Sequence, residues 1–266
     1  MAMANAAKAM RVPRRTALAA SLPLPLLLTR RARAATLTAA SQAAEVLRAP
    51  GFPDTWPYRA QDFQRYDETR DALFYDAPRF VTHIDDRAIE SLRQFYERAL
   101  PQSPDAAVLD ICSSWISHYP DNLQAERVAG LGMNEEELRR NRVLTDYEVK
   151  DLNLDPKLPY ADESFDAVTC AVSVDYLTRP LEVFQEINRV LKPGGVAIMS
   201  FSNRCFPTKA ISVWTSTGDM DHIWIVGSYF HFAGGFEPPQ AEDITQQTMP
   251  WQMTDPMYVV YANKEK

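Results

Sequence analysis

Small and polar side chains stand directly after several short apolar runs of this 266-residue chain. Runs of this kind, when helical patterns separate them, predict the buried strands of a parallel sheet. Ligands of such sheets bind just beyond the carboxyl ends of the strands, where the strand order reverses. We therefore expect a small-molecule site built from residues at and after the strand ends. The candidates are Asp110, Cys112, Ser113, Asn134, Asp151, Leu152, Ser173 and Tyr176.

Strand and helix patterns alternate from residue 106 onward, and the elements that they predict must position these candidates. An alternation of this type predicts an α/β fold with a mostly parallel sheet and helices on both faces. The predicted strands are 106–111, 128–133, 147–152, 165–172, 196–201 and 257–262. The predicted helices are 36–48, 85–100, 135–140, 180–191, 208–214 and 223–232.

The first forty residues have a different composition from the rest of the chain. They contain seven Lys and Arg residues and no acid, with a twin arginine at positions 14 and 15, an apolar run at 18–28 and an A-x-A site at 32–34. This pattern is typical of a targeting segment, here residues 1–34, of the twin-arginine type. It predicts a chloroplast protein, with the thylakoid lumen as one destination. Mitochondrial import and bacterial export are the alternatives.

The remaining chain is acidic, with 21 Lys and Arg against 35 Asp and Glu. This balance argues against nucleic acid or an anionic membrane as the main partner, because phosphate binding needs clustered cations. No run approaches the roughly 20 apolar residues that a membrane-spanning helix needs. The three cysteines and four histidines show no metal-ligand spacing, so we expect no metal site. We divide this part into a helical and extended segment, 35–104, that packs on a core domain, 105–266. Nothing in the sequence indicates the oligomeric state.

Two blocks of the sequence resemble a known family. Residues 158–168 read LPYADESFDAV, and residues 181–195 read LEVFQEINRVLKPGG. Together with Val108-Leu109-Asp110 they resemble, in order and spacing, the type 11 branch of the class I S-adenosylmethionine-dependent methyltransferases, which is ubiquinone/menaquinone-biosynthesis-like. The resemblance covers about residues 106–203. It implies a Rossmann-like, doubly wound sheet of seven strands, S-adenosylmethionine as cofactor and a small-molecule acceptor.

The first loop departs from the family pattern D-x-G-x-G-x-G. Here Cys112, Ser114 and Ile116 occupy the three glycine positions. Such glycines let the backbone approach the cofactor closely. Trp115 and Ile116 could pack beneath the loop or fill the pocket. The alternative to an enzyme is therefore a catalytically inactive, methyltransferase-like binding or assembly protein of an organelle. A third hypothesis is other chemistry through Cys112 or Cys205.

Several candidates have a structural interpretation beside the functional one. In the family, an acidic residue after the second strand binds the ribose, a place held here by Asn134 or Glu135. Asn134 could instead cap the helix that follows. Asp151 could contact adenine or stabilise a local turn. Ser113 or Ser114 could cap a short helix after the first strand.

The residues that could remove a proton from the acceptor are Asp175, Tyr176 and His222. Each could equally be structural. Cys112 and Cys205 could be nucleophiles or small buried residues, since no histidine stands beside either. The aromatic stretch 224–236 could line an apolar acceptor cavity or belong to the core. These alternatives stay open at the level of the sequence.

Overall fold

The computed structural model describes residues 39–246 and 253–266, so the predicted targeting segment 1–34 lies outside the described residues. The described residues form a seven-stranded sheet of order β3-β2-β1-β4-β5-β7-β6. The strands are β1 Ala107–Ser113, β2 Arg127–Gly132, β3 Asp146–Val149, β4 Phe165–Ala171, β5 Leu191–Phe201, β6 Gln240–Asp243 and β7 Tyr258–Asn263. The first five are parallel, and β7 pairs antiparallel with β5 and β6. This is the predicted Rossmann-like, mostly parallel sheet, and its strand order reverses between β1 and β4.

Helices cover both faces of the sheet, as predicted. They are α1 Ala39–Arg48, α2 Asp71–Phe74, α3 Asp86–Ala99, α4 Glu135–Arg140, α5 Pro180–Val190, α6 Ser212–Thr215 and α7 Asp219–Ala233. No helix in the described part of the chain is long and apolar enough to cross a membrane.

The two faces of the sheet bury separate hydrophobic clusters. In β1, Val108 packs on one face, in the cluster that holds Phe95 and Tyr96 of α3. Leu109 and Ile111 pack on the other face, in the cluster that holds the buried residues of α1, α5 and α7. Successive side chains of a strand point to opposite faces, so β1 is buried on both sides. Its carboxyl end is therefore held firmly in place.

Helix α3 begins where the sequence predicts it. The Asp85 side chain accepts hydrogen bonds from the backbone amides of Arg87 (3.0 Å) and Ala88 (2.8 Å), and so satisfies two free donors of the first turn. Its other oxygen accepts from the amide of Asp255 (2.7 Å), which follows the segment 247–252 that is not described. The cap therefore also ties α3 to the chain leading into β7.

Three sequence predictions about elements are wrong. No helix follows β1, since residues 114–126 run as an irregular loop that includes Pro120. The third strand ends at Val149 rather than at 152, because the chain turns at Asp151. The predicted helix 208–214 is reduced to α6. The short, polar edge strand β6 was not among the strands read from the apolar pattern.

Candidate functional site

A cavity of about 250 Å³ lies beyond the carboxyl ends of β1–β5. This is close to the lower bound of about 300 Å³ for clefts that bind small molecules. The structure brings all eight predicted site residues to its wall, which are Asp110, Cys112, Ser113, Asn134, Asp151, Leu152, Ser173 and Tyr176. The sequence analysis did not identify the wall residues of the segment before α3, which are Asp71, Tyr75, Arg79, Val81, Thr82 and His83.

The first glycine position of the family keeps a glycine-like backbone here. Cys112 has φ of 53°, in the left-handed region that glycine favours. The pairing of β1 with β2 shifts register between Ile111 and Ser113, so Cys112 is the extra residue of a bulge. A Cβ at Gly132, on the neighbouring strand, would clash with the carbonyl oxygen of Ser113. The two strand ends therefore approach each other closely although the loop has no glycine.

Backbone strain is concentrated at the cavity. Five non-glycine residues of the described chain have positive φ. Four of them, Cys112, His83, His118 and Val172, line the cavity. Each such residue costs about 1–3 kcal/mol, and such strain clusters at functional sites. A β-branched residue such as Val172 is an outlier at its φ of 44°.

Asp110 fixes the loop after β1 through hydrogen bonds. Its Oδ2 accepts hydrogen bonds from the hydroxyls of Ser113 (2.6 Å) and Ser117 (2.7 Å), and its Oδ1 accepts from Thr169 (3.0 Å). Burial raises the pKa of Asp110 to about 6, while the three hydroxyls oppose this rise. Because both oxygens are used, Asp110 acts by positioning the loop rather than by offering a free carboxylate to a ligand.

The bulky residues of the loop leave the cavity open. The Trp115 Nε1 donates to the carbonyl of Val81 (2.9 Å), and Trp115 is not a wall residue. Ile116 is half-buried and lines the wall. The Ser114 hydroxyl donates to Glu137 (2.7 Å). Neither serine caps a helix, contrary to that prediction, because no helix follows.

Asn134 is the N-cap of α4, and both of its side-chain N–H groups are used. Its Oδ1 accepts from the amide of Glu137 (3.0 Å), and its Nδ2 donates to the carbonyls of Tyr75 (2.9 Å) and Asp76 (3.0 Å). The side chain therefore keeps only the second lone pair of Oδ1 for a ribose hydroxyl, and its capping role is confirmed. Asp151 plays the predicted turn role through its Oδ1, which accepts from the amide of Asn153 (2.9 Å).

A buried ionic cluster ties the segment before α3 to the segment after β5. Both carboxylate oxygens of Asp71 accept from the Nη1 of Arg65 (2.7 and 2.8 Å), and the Lys209 ammonium lies 3.3 Å away. Lys209 also donates to the Thr69 carbonyl (2.6 Å). Asp71 further accepts from the Asn153 amide (2.9 Å). We call these two segments, residues 65–83 and 204–211, the roof of the cavity.

Arg79 is a cation in the roof with unused hydrogen-bond capacity. Its Nη2 donates to the Phe74 carbonyl (2.7 Å), and its guanidinium carbon lies 4.4 Å from the centre of the Phe74 ring and 5.5 Å from that of Phe206. Its Nη1 is buried without a hydrogen-bond partner in the described part of the chain. The Arg79 amide donates to Glu137 (2.6 Å), which fixes the backbone at this point.

His118 is a second wall residue with an unpaired atom. It is 8% exposed, and its Nδ1 is buried without a partner among the described residues. Burial, helped by the proximity of His83, lowers the pKa of His118 to about 4. The ring is therefore neutral at physiological pH, and its lowered pKa makes it a weak proton acceptor. The sequence offered no pattern for this residue, because His118 lies in an irregular loop.

Of the predicted proton acceptors, only Tyr176 reaches the wall, and its hydroxyl accepts from the Phe206 amide (2.7 Å). The prediction that Asp175 and His222 face the site is wrong, because neither is a wall residue. Burial raises the pKa of Asp175 to about 8. His222 stacks on Trp214 at 3.8 Å between ring centres and contacts its carbonyl (3.0 Å).

The aromatic residues between 224 and 236 belong to the core rather than to the cavity. Tyr229 and Phe230 are completely buried, and Phe184 packs against both at 5.5 and 4.8 Å between ring centres. The Trp224 Nε1 donates to the Pro50 carbonyl (2.8 Å). The acceptor-cavity interpretation of this stretch is therefore wrong.

The cysteines are free thiols. Cys112 and Cys205 line the cavity, whereas Cys170 is completely buried. Contact with Cys112 is the largest of the influences that raise the pKa of the Cys170 thiol, followed by burial. Burial also raises the pKa of Cys205. A raised pKa leaves little thiolate, so neither Cys170 nor Cys205 is activated as a nucleophile. In the described residues, no three His, Cys, Asp or Glu side chains are grouped so that they could hold a metal ion.

Comparison with known proteins gives partial matches. Residues 109–199, about a third of the chain, match the sequence profile of the family described as "Methyltransferase domain". The protein named "Probable methyltransferase ltbC" from Aspergillus luteorubrus is 33% identical over 97 residues, which are 35% of this chain and 31% of that protein. Malonyl-(acyl-carrier protein) O-methyltransferase of Marinomonas sp. is 28% identical over 67 residues, 25% of each chain. The match thus spans about a third or less of the length of these curated relatives.

Among solved structures, a SAM-dependent methyltransferase from Aquifex aeolicus is 18% identical, with a TM-score of 0.46. The superposition covers 73% of this chain and 97% of that chain. The matched residues 109–199 run from β1 into β5 and so carry much of the cavity wall. Over this stretch the chain is similar to the methyltransferase domain family.

Proposed function

We propose that the protein is an S-adenosylmethionine-dependent methyltransferase that acts on a small molecule. The observation that carries the proposal is the open cavity at the carboxyl ends of β1–β5, which Trp115 does not fill. The family match over residues 109–199 supports it independently.

The residues at the cavity fit S-adenosylmethionine in three respects. The left-handed backbone at Cys112 and the close approach of Gly132 to Ser113 reproduce the tight strand ends that a nucleoside ligand needs. Leu131 and Leu152 give the wall apolar surface suited to a base. The unpaired Nη1 of Arg79 and Nδ1 of His118 leave polar contacts for a ligand to complete. The family's acidic ribose contact is replaced by the engaged amide of Asn134, which predicts a weak cofactor affinity.

When bound, S-adenosylmethionine supplies an activated methyl group, so the protein mainly aligns donor and acceptor. In our proposal Cys112, Ser113, Asp151 and Leu152 hold the cofactor, with Ser173 and Tyr176 beside them. Asp110 and Asn134 keep the loop and α4 in place. His118, neutral because it is buried, offers its unpaired Nδ1 to a polar group of the acceptor.

Isothermal titration of the full chain with S-adenosylmethionine and with S-adenosylhomocysteine tests the proposal. We expect a one-to-one complex whose Kd lies in the micromolar range. Ser173→Trp, which fills the cavity, should abolish it, whereas Ser216→Trp, at an exposed position away from the cavity, should not. No heat at millimolar ligand, or equal binding by both variants, would refute the proposal and favour the inactive binding protein.

We further propose that residues 1–34 direct the protein to the chloroplast, on the strength of their twin arginine and acid-free composition. A fluorescent protein fused after residue 38 and expressed in plant cells should accumulate in the plastid. Changing both arginines at positions 14 and 15 to lysine should stop any further passage into the thylakoid lumen. Fluorescence that stays in the cytosol would contradict the proposal, and mitochondrial fluorescence would support the alternative address.

A further inference from the structure

Three cationic side chains, Arg79, Lys150 and Arg204, line the cavity, and two of them are neutralised within the protein. The Lys150 ammonium lies 2.6 Å from Asp155, and the Arg204 guanidinium lies 2.7 Å from Asp255. Within the described part of the chain, the nitrogens of the Arg79 guanidinium have no carboxylate oxygen within 4.0 Å, and Arg79 contacts Glu137 only through its backbone amide. It is therefore the cation of the wall that a bound anion would complement.

The environment of Arg79 makes this lack of a partner costly. Its Nη1 is buried and makes no hydrogen bond within the described residues. A buried polar group without a partner loses its hydration and gains nothing in return, and the loss is larger for a charged group. Glu137 is the acid that contacts Arg79, but its two carboxylate oxygens accept hydrogen bonds from the Arg79 backbone amide and from the Ser114 hydroxyl. The site thus offers a charge and a free donor together.

The surroundings indicate what kind of molecule carries the anion. Rings of Phe74, Tyr75 and Phe206 lie 4.4, 5.7 and 5.5 Å from the Arg79 guanidinium carbon. The Phe206 ring also faces Tyr176 at 6.0 Å between centres, so the aromatic surface continues along the wall. A guanidinium binds planar carboxylates with paired hydrogen bonds, and flat apolar bodies pack on such rings. The aromatic surface would accept the body of the ligand and Arg79 its carboxylate.

The His118 ring adds a second, independent observation. It is 8% exposed, lines the same cavity, and has an Nδ1 without a partner among the described residues. Buried polar atoms in folded proteins are almost always paired, so an unpaired one in a cavity wall points to a ligand atom that pairs with it. The cavity wall therefore carries two such atoms, one on a cation and one on a neutral ring.

We propose that the acceptor is a small carboxylic acid with a flat apolar body, and that its carboxylate binds the Arg79 guanidinium while its body lies against Phe206. That the bound acid is the methyl acceptor rests on the proposed methyltransferase function, whereas the carboxylate site itself rests on the geometry alone. The cofactor carries a carboxylate too, so the experiment must separate the two sources of the same chemistry.

Ligand-observed NMR with benzoate and its uncharged analogue benzamide tests the site on the full chain. We expect millimolar binding of benzoate, with benzamide at least tenfold weaker, and no loss of benzoate binding when S-adenosylhomocysteine is present. Arg79→Gln should weaken benzoate at least tenfold. Arg59→Gln, at an exposed position away from the cavity, is the matched control and should bind benzoate as the wild type does.

The cofactor arm uses S-adenosylhomocysteine and 5′-methylthioadenosine, which lacks the carboxylate. We expect Arg79→Gln to leave both affinities within twofold of wild type. If it weakens S-adenosylhomocysteine tenfold and spares methylthioadenosine, Arg79 binds the cofactor's carboxylate and the proposal is wrong. Equal binding of benzoate and benzamide would also overturn it. The wild type and both variants could all fail to bind S-adenosylhomocysteine while Arg79→Gln alone loses its affinity for benzoate. In that case the methyltransferase function is wrong and the carboxylate site stands.

Discussion

The left-handed backbone of Cys112 gives a prediction whose sign is unusual. Replacing alanine by glycine within a strand normally lowers stability by about 0.5–1 kcal/mol, because glycine loses more backbone freedom on folding. At Cys112, where φ is 53°, a Cβ costs about 1–2 kcal/mol. The two effects oppose each other, and their difference favours glycine. We therefore expect Cys112→Gly to be more stable than Cys112→Ala by about 0.5–1 kcal/mol.

Both variants remove the thiol, so their comparison isolates the backbone from the contact with Cys170. Urea unfolding followed by fluorescence gives the free energy of unfolding of each. Ala107→Gly, in the same strand but outside the positive-φ residues, should lose about 0.5–1 kcal/mol and serves as the control. If Cys112→Ala proves as stable as Cys112→Gly or more so, the bulge is not left-handed, and the glycine-like loop on which cofactor binding depends does not exist.

Three further predictions follow from the site. Gly132→Ala should cost about 2–4 kcal/mol and weaken cofactor binding, since its Cβ would clash with the Ser113 carbonyl. Gly218→Ala, whose Cβ would meet only the Asp221 carboxylate at 4.0 Å, should cost less than about 1 kcal/mol; urea unfolding measures the stability and calorimetry the binding of both variants. Because the pKa of His118 falls to about 4 on folding, the unfolded state takes up the proton first as the pH drops, and stability is lost between about pH 6.5 and 4. Between pH 7.5 and 4.5, the free energy of unfolding of His118→Gln should therefore fall by about 2–3 kcal/mol less than that of the wild type, and parallel pH profiles would contradict this. Asp71→Asn should cost about 3–5 kcal/mol and raise the hydrogen exchange of the roof. It takes the buried carboxylate away from Arg65 and Lys209, which keep only the more exposed carboxylates of Glu68 (3.7 Å) and Asp67 (3.3 Å); an unchanged exchange rate would exclude the ionic anchor.

Helix α4 shows where local sequence was sufficient. Its bounds, Glu135–Arg140, match the prediction to the residue, because Asn134 caps the first turn, acids fill that turn and basic residues fill the last one. The strands β1, β2 and β4 also lie where their apolar runs predict, and β5 ends where predicted, although it begins at Leu191 rather than at 196. Burial on both faces makes such runs continuous, so the sequence alone reveals them.

The loop after β1 shows where a local interpretation failed. Ser113 or Ser114 could have capped a short helix there, but their side chains bond Asp110 and Glu137 instead of backbone amides. Serine competes with the helix by making such local bonds. The roof shows a different limit. Lys209 contacts Asp71 although at least 138 residues of sequence separate it from Arg65 and Asp71. No periodicity in the sequence predicts a contact over such a separation. An isolated arginine among aromatic residues, as at Arg79, was the available signal.

The ionic anchor of the roof has a consequence for the timing of ligand exchange. Arg65, Asp71 and Lys209 are at most 7% exposed in their side chains, so lifting the segment off the cavity means separating charges that have little water to replace their partners. Breaking such a pair costs about 3–5 kcal/mol, which corresponds to an opened population on the order of one molecule in a few hundred or fewer. A ligand would meet a binding surface that is already ordered and would lose little entropy on arrival. Product departure, rather than alignment, would then set the pace of turnover.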